Sequence, residues 1–148
     1  MIKSNRDSML WKLEGISDEQ GRERVVDSLT TLIGLVKHME IVELWWVRIV
    51  MNGENMPRPW DADDPDAEWR LTEEDTIADA IARYEAELEV VDAVIARQVD
   101  LGREVEARGK KFAVRWILMH LIEEIARHAG HADIIRETID GETGYIRG

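Results

Sequence analysis

The sequence contains no cysteine. That absence excludes disulfides, thiolate zinc sites and a cysteine nucleophile together. It also removes thiol usage as a guide to compartment, and the cytoplasm is the default expectation. Proline is scarce, with three residues, Pro57, Pro59 and Pro65, all in one short stretch. No run is long and apolar enough to span a bilayer. Residues 1–15 hold no long apolar segment of the kind a secretory leader carries. A basic excess is missing too. The formal net charge is -12 at pH 7, and Lys and Arg are scattered rather than gathered on one face. Nucleic-acid phosphates and anionic membrane surfaces are therefore not expected partners. Aromatic usage is skewed, with one Phe and two Tyr against six Trp. Trp fills cores, and its amphipathic ring also lines cavities and interfaces.

What is present is helical periodicity. A chain of 148 residues, 45% hydrophobic and 34% charged, fits one soluble globular domain over 1–148. Residues 5–13 read as a first helix, with Met9, Leu10 and Leu13 on one edge. The helix is short for a bundle, so it either extends back to Ile2 or belongs to a longer natural N-terminus. Gly15 breaks it, and Ser17-Asp18-Glu19-Gln20 resembles a capped turn. A second helix runs from Thr30 or Thr31 to Met51, with Ser28 as its expected N-cap. Its apolar stripe is Leu32, Leu35, Met39, Val42, Trp45, Trp46 and Ile49, and His38 falls within it. Asn52-Gly53 ends it.

Residues 53–70 hold the prolines, four aspartates, Trp60 and Trp69. A connection this long in a compact domain is functional or disordered, and its two tryptophans point to a packed loop covering the end of a cavity. Thr72 with Asp75 predicts a capping box opening a third helix that ends near Val99. Ile77, Ala80, Ile81, Tyr84, Leu88, Val91 and Ile95 form its seam. Residues 102–111 read as a polar connection, and a fourth helix begins near Phe112. Gly141, Gly144 and Gly148 mark a frayed tail. No strand-period alternation is recognised, so the expected fold is all-α, with four helices and a long link between the second and third.

The fourth helix carries the chemistry. Over residues 115–140 it holds His120, Glu123, Glu124, His128 and His131. Steps of four and three place His120, Glu124, His128 and His131 along one stripe. A Glu/His pair at i, i+4, joined by a His from a neighbouring helix, makes a three-ligand site for a borderline divalent metal such as Zn, Ni, Fe or Mn. The competing reading is a solvated surface stripe in which Arg127, Arg136, Glu123 and Glu137 form ordinary ion pairs. Gly130 leans toward the first. A glycine inside a helix costs about 1 kcal/mol relative to Ala, so it predicts close helix approach or crowding around the stripe.

The segments 30–38 and 115–137, with Trp11-Lys12-Leu13-Glu14-Gly15 and Ile139-Asp140-Gly141, resemble the DinB-like (DinB/YfiT) superfamily. The branch they look like is the actinobacterial mini-circle group, which is related to mycothiol-dependent enzymes. The resemblance covers nearly the whole chain, and its fourth-helix motif is the specific part. It implies a four-helix bundle of up-down-down-up topology and a divalent metal held by a His of the second helix and a pair on the fourth. Carried over by position, the ligands are His38, Glu124 and His128. Many members have His where this chain has Glu124; the mycothiol-dependent isomerase relatives have Glu. His120 and His131 are then candidate catalytic or orienting groups.

The function this implies is a metal-dependent S-transferase of the mycothiol or bacillithiol type, acting on an electrophilic small molecule. With no cysteine in the chain, the nucleophile has to arrive as a low-molecular-weight thiol. Two rivals stand beside it. One is a non-catalytic metal-binding or stress-response helical module; the other is a metal-dependent hydrolase. A homodimer fits the number of apolar helix positions and the family.

Overall fold

The structure is a computed structural model, and it describes residues 1–143. Gly144 and Gly148, expected in a frayed tail, lie outside the described residues. The fold is mostly helical: α1 (Ile2–Trp11), α2 (Asp18–Gly21), α3 (Leu32–Glu43), α4 (Ile77–Ala96) and α5 (Val114–Asp140). A π-helical segment, Leu44–Met51, continues α3, and a 3-10 turn, Ala67–Trp69, lies in the long link. Two short strands, β1 (Glu104–Ala107) and β2 (Lys110–Ala113), pair antiparallel. Helix α1 packs on α5, and α3 packs on both α4 and α5. Their shared core contains Met9, Leu35, Met39, Tyr84, Ile117, Leu121 and Ile125. Among the described residues no helix is long and apolar enough to cross a membrane.

Local chemistry explains where the elements begin and stop. Helix α1 does reach back to Ile2. Ser17 and Gln20 close a reciprocal capping box at the start of α2. The N-cap of α3 is Thr31, whose side chain accepts from the Gly34 N–H at 3.0 Å. Ser28 is not the cap, because its hydroxyl is engaged with Thr30 at 2.9 Å. Helix α4 likewise starts later than its sequence suggests. The Asp75 carboxylate accepts from the Thr72 N–H at 2.7 Å, as a capping box requires. It also takes the Lys37 ammonium at 2.9 Å, and this closes a turn rather than a helix. Thr76 then caps α4 by accepting from the Asp79 N–H.

Two elements differ in kind from the sequence expectation. The polar connection before α5 is the β1–β2 hairpin, so the fold is not purely helical. Its two-residue turn is Arg108-Gly109, with φ of 52° and 71°. Both values are positive, as the tight hairpin turn that matches strand twist demands. Arg is an unusual occupant of such a position, and that hides the turn from sequence inspection. Val105 and Ala107 do alternate inward, but over only four residues.

The second difference is the π-helical segment. Leu35, Met39, Glu43, Val47 and Met51 are all buried, each four residues after the last. In a regular α-helix a strict four-residue row drifts around the axis, since a turn takes 3.6 residues. The wider π turn, with i→i+5 bonding such as Asn52 N–H to Val47 O at 2.9 Å, holds the row against the core. Trp45 and Trp46, expected in the buried stripe, are thereby left only partly buried.

Glu43 stands at the junction between the two helix types and is completely buried. Its carboxylate is forked by Arg6 of α1, whose Nε donates at 3.0 Å and whose second contact comes from Nη2. Tyr84 of α4 donates its hydroxyl to Glu43 Oε1 at 2.5 Å. Arg6 Nη1 goes on to Asp92 of α4 at 2.7 Å. Burial and the Glu43 charge push the Tyr84 pKa well up, so the phenol stays a donor. The chain turn after α1 is tied to α5 by Arg136 Nη1, which donates to the carbonyls of Lys12 and Glu14 at 2.9 Å each. Gly130 of α5 has open space where a Cβ would be, so it relieves no crowding. The close-approach expectation for it is overturned.

Removing Glu43 leaves a buried guanidinium unpaired. Glu43→Ala is expected to lower unfolding stability by about 3–5 kcal/mol, read from urea denaturation. A loss below about 1 kcal/mol, within the range of ordinary surface changes, would mean the network does not hold the helices together.

Candidate metal centre

His38 projects from α3, and Glu124 and His128 project one turn apart from α5. One ligand atom from each lies within 4.8 Å of the other two. The set is two imidazoles and a carboxylate, a combination that suits borderline divalent cations. All three are shielded: the His38, His128 and Glu124 side chains are 16%, 11% and 15% exposed. The Glu124 Oε2 and His128 Nε2 atoms are 3.4 Å apart.

Each of the three is held from behind. His38 Nδ1 lies 3.1 Å from Glu68 Oε1, so Nδ1–H donates to the carboxylate and Nε2 is the ring nitrogen left to ligate. The indole of Trp69 stacks on the His38 ring at 4.6 Å, and the His128 ring meets His38 edge-on at 4.7 Å. Glu124 Oε1 accepts from Arg127 Nη1 at 2.8 Å, leaving Oε2 toward the centre. His128 Nδ1 lies 3.3 Å from His131 Nδ1. With the shared proton on His128 Nδ1, its Nε2 is free to ligate. Burial lowers the His128 pKa from 6.5 to about 4, and repulsion from His38 adds to this against the pull of Glu124. The ring is therefore neutral near pH 7, as a metal ligand must be.

The candidates named from sequence separate into three places. His38, Glu124 and His128 converge. His120 is outside their cluster but lines the same cavity, stacked on Trp116 at 4.9 Å and edge-on to Trp46 at 5.2 Å. His131 is solvent-exposed and meets the site only through His128. Glu123 faces outward and pairs with Arg127 at 2.6 Å, as the surface-stripe reading held for that residue. Glu68 was not anticipated. It comes from the 3-10 turn of the long link, thirty residues from His38, where no helical spacing connects them. The only signal was its place beside Trp69 in a loop too long to be inert.

A cavity of about 600 Å³ opens beside two of the three candidate ligands, His38 and Glu124. His38, Glu68, Glu124 and His120 lie along it, with Trp45 and Trp46 of the π-helical segment and Trp60 of the link. Trp60 packs edge-on against Trp45 at 4.6 Å, so the link does cover the site.

A family model described as mycothiol-S-transferase matches residues 1–141. No curated protein and no solved structure matches the chain.

The His128 pKa sets a pH dependence. An unfolded His128 takes up a proton as pH falls through 6.5, while the folded one resists until about 4. The unfolded state binds more protons in that window, so acid favours unfolding. Chelated protein should lose stability as pH falls from 6.5 to 4, and His128→Gln should remove part of that loss. Identical melting-temperature profiles for the two proteins would refute a neutral, buried His128.

Proposed function

The chain belongs to the mycothiol S-transferase family, a DinB-like group, and from that premise we propose a divalent-metal-dependent S-transferase. It joins a low-molecular-weight thiol of the mycothiol or bacillithiol type to an electrophilic small molecule. The observation that carries this reading is the convergence of His38, Glu124 and His128 beside a cavity of substrate size. The donor set fits Zn, Ni, Fe or Mn, and three protein ligands leave coordination positions open. When bound there, the cation supplies positive charge that favours thiolate over thiol at neutral pH.

The protein's own groups do the rest. His38 and His128 present their Nε2 atoms, and Glu124 presents one oxygen not engaged by Arg127. His120, on the cavity wall, takes the proton released from the thiol. The sulfur forms a bond to the electrophilic carbon as the leaving group departs with its electron pair, and the proton passes from His120 to solvent or to that group. His131 is a positioning residue acting through His128. The tryptophans of the π-helical segment and the link exclude water from the reacting sulfur. The four long helices are taken in the up-down-down-up order of the family, which the long link between α3 and α4 supports. A homodimer belongs to the same reading, since Met119 and Ile134 of α5 are 69% and 64% exposed. So does a cytoplasmic location, where such thiols are kept reduced.

Elemental analysis of the purified protein should find about one divalent ion per chain, lost in His38→Ala. Turnover of a bimane electrophile should require added thiol and fall in Glu124→Gln. A metal-free protein with unaltered stability in His38→Ala would sink the metal site. Turnover without thiol would indicate hydrolysis instead, and a metal-loaded protein with no turnover would indicate a binding module. Glu68 gives a finer test. Glu68→Gln should weaken metal affinity by about 10–100-fold with the fold intact; affinity equal to wild type would remove Glu68 from the site.

A further inference from the structure

The cavity wall carries a second chemistry in two exposed side chains. Two arginines, Arg58 of the long link and Arg108 of the hairpin turn, line it. In a chain with 31 acidic side chains against 19 basic ones, most arginines are tied to carboxylates or backbone carbonyls. Arg6, Arg48, Arg70, Arg83 and Arg127 all carry ion pairs. Among the described residues Arg58 and Arg108 have none; Arg22, Arg24, Arg97, Arg103 and Arg115 also lack one, but of these seven Arg58 and Arg108 are the two that line the cavity. Asp61 also lines the cavity, but its Oδ1 accepts the Asp63 N–H at 2.9 Å and pairs with neither guanidinium.

Arg108 is also held in place. Its guanidinium lies over the ring of Trp60 at 4.9 Å and over that of Trp45 at 5.6 Å. Its backbone takes a φ of 52°, where a non-glycine residue is strained. Such strain is kept where the side chain has a use that glycine would not serve. A planar fork lying over aromatic rings is suited to bidentate recognition of a carboxylate, sulfonate or phosphate. The indole faces beside it suit a flat apolar body.

We infer that this part of the cavity wall binds the electrophilic substrate, and that the substrate is an aromatic or similarly flat molecule bearing an anionic group. Arg58 and Arg108 take the anion, and Trp45, Trp46 and Trp60 take the flat body. The electrophilic carbon is thereby directed along the cavity toward His120 and the three ligands. A neutral polyol or sugar would use the same rings but would leave both guanidiniums without a partner. The inference rests on the proposed transferase reading for its role in turnover, but the binding it describes needs no metal.

The test uses 2-naphthoate and its neutral analogue 2-naphthamide, titrated into chelated full-length protein and followed by calorimetry. Naphthoate should bind about tenfold or more tightly than the amide, the scale of one charge-assisted hydrogen bond. The preference should shrink with salt. It should disappear in the Arg58→Gln/Arg108→Gly double variant and persist in His38→Ala. Arg108→Gly alone relaxes the turn, so its melting temperature should equal or exceed wild type while the preference falls. Equal affinities in wild type would overturn the inference and favour a neutral ligand. Absence of saturable naphthoate binding would overturn it outright. A destabilised Arg108→Gly with unchanged preference would make Arg108 a structural clamp. Because binding is read without metal, its failure is separate from failure of the metal site, which elemental analysis decides.

Discussion

The completely buried carboxylate of Glu43 fixes how the helices can sit. It faces Arg6 from α1 and Tyr84 from α4, and Arg6 reaches Asp92 as well. A charge taken this far from water is costly unless it is paired and its lone pairs are satisfied. Its partners meet that condition only when α1, α3 and α4 hold one relative position. Helix α5 is fastened to the same frame through α1 and the turn after it, where Arg136 captures two carbonyls. Contacts well away from the cavity thus join the direct packing of α3 on α5 in setting the distance between His38 and His128. A ligand set drawn from two helices is only as well placed as the packing of those helices.

Around the three candidate ligands, orientation is handled one residue at a time. Glu68 turns His38, Arg127 turns Glu124, and His131 turns His128. Each partner occupies the atom that faces away from the centre. The atoms left toward the centre are two imidazole nitrogens and one carboxylate oxygen. The low His128 pKa belongs to the same design, because a protonated ring beside His38 would repel the cation the site is suited to hold.

The legible parts of this protein are those governed by periodicity. Glu124 and His128 share a face because helical geometry leaves no alternative. Linking them to His38, eighty-six residues before Glu124, rested on resemblance rather than on spacing. The hairpin was hidden because Arg108 occupies a turn position that Gly, Asn or Asp ordinarily fills. The π-helical segment was hidden because its residues also satisfy an α-helical pattern. The burial of Val47 and Met51, in place of Trp45 and Trp46, and the i→i+5 bond from Asn52 N–H to Val47 O reveal the wider turn. Glu68 and Arg108 reach the site from loops, where tertiary packing sets the contacts and sequence distance carries no signal. Gly130 misled because a helical glycine has a known cost without an obligatory structural cause.

The π-helical segment and the hairpin, both unforeseen, act on the same cavity. By keeping the four-residue row of α3 buried, the wider turn frees two consecutive tryptophans to face the cavity rather than the core. The hairpin brings Arg108 over one of them. The ligand stripe alone describes a place for a cation, with nothing to say which molecule approaches it. The wall adds aromatic rings, two guanidiniums without an ion pair among the described residues, and a link whose Trp60 packs on Trp45. That wall and the side chains of His38 and Glu124, each turned by a partner behind it, line one cavity.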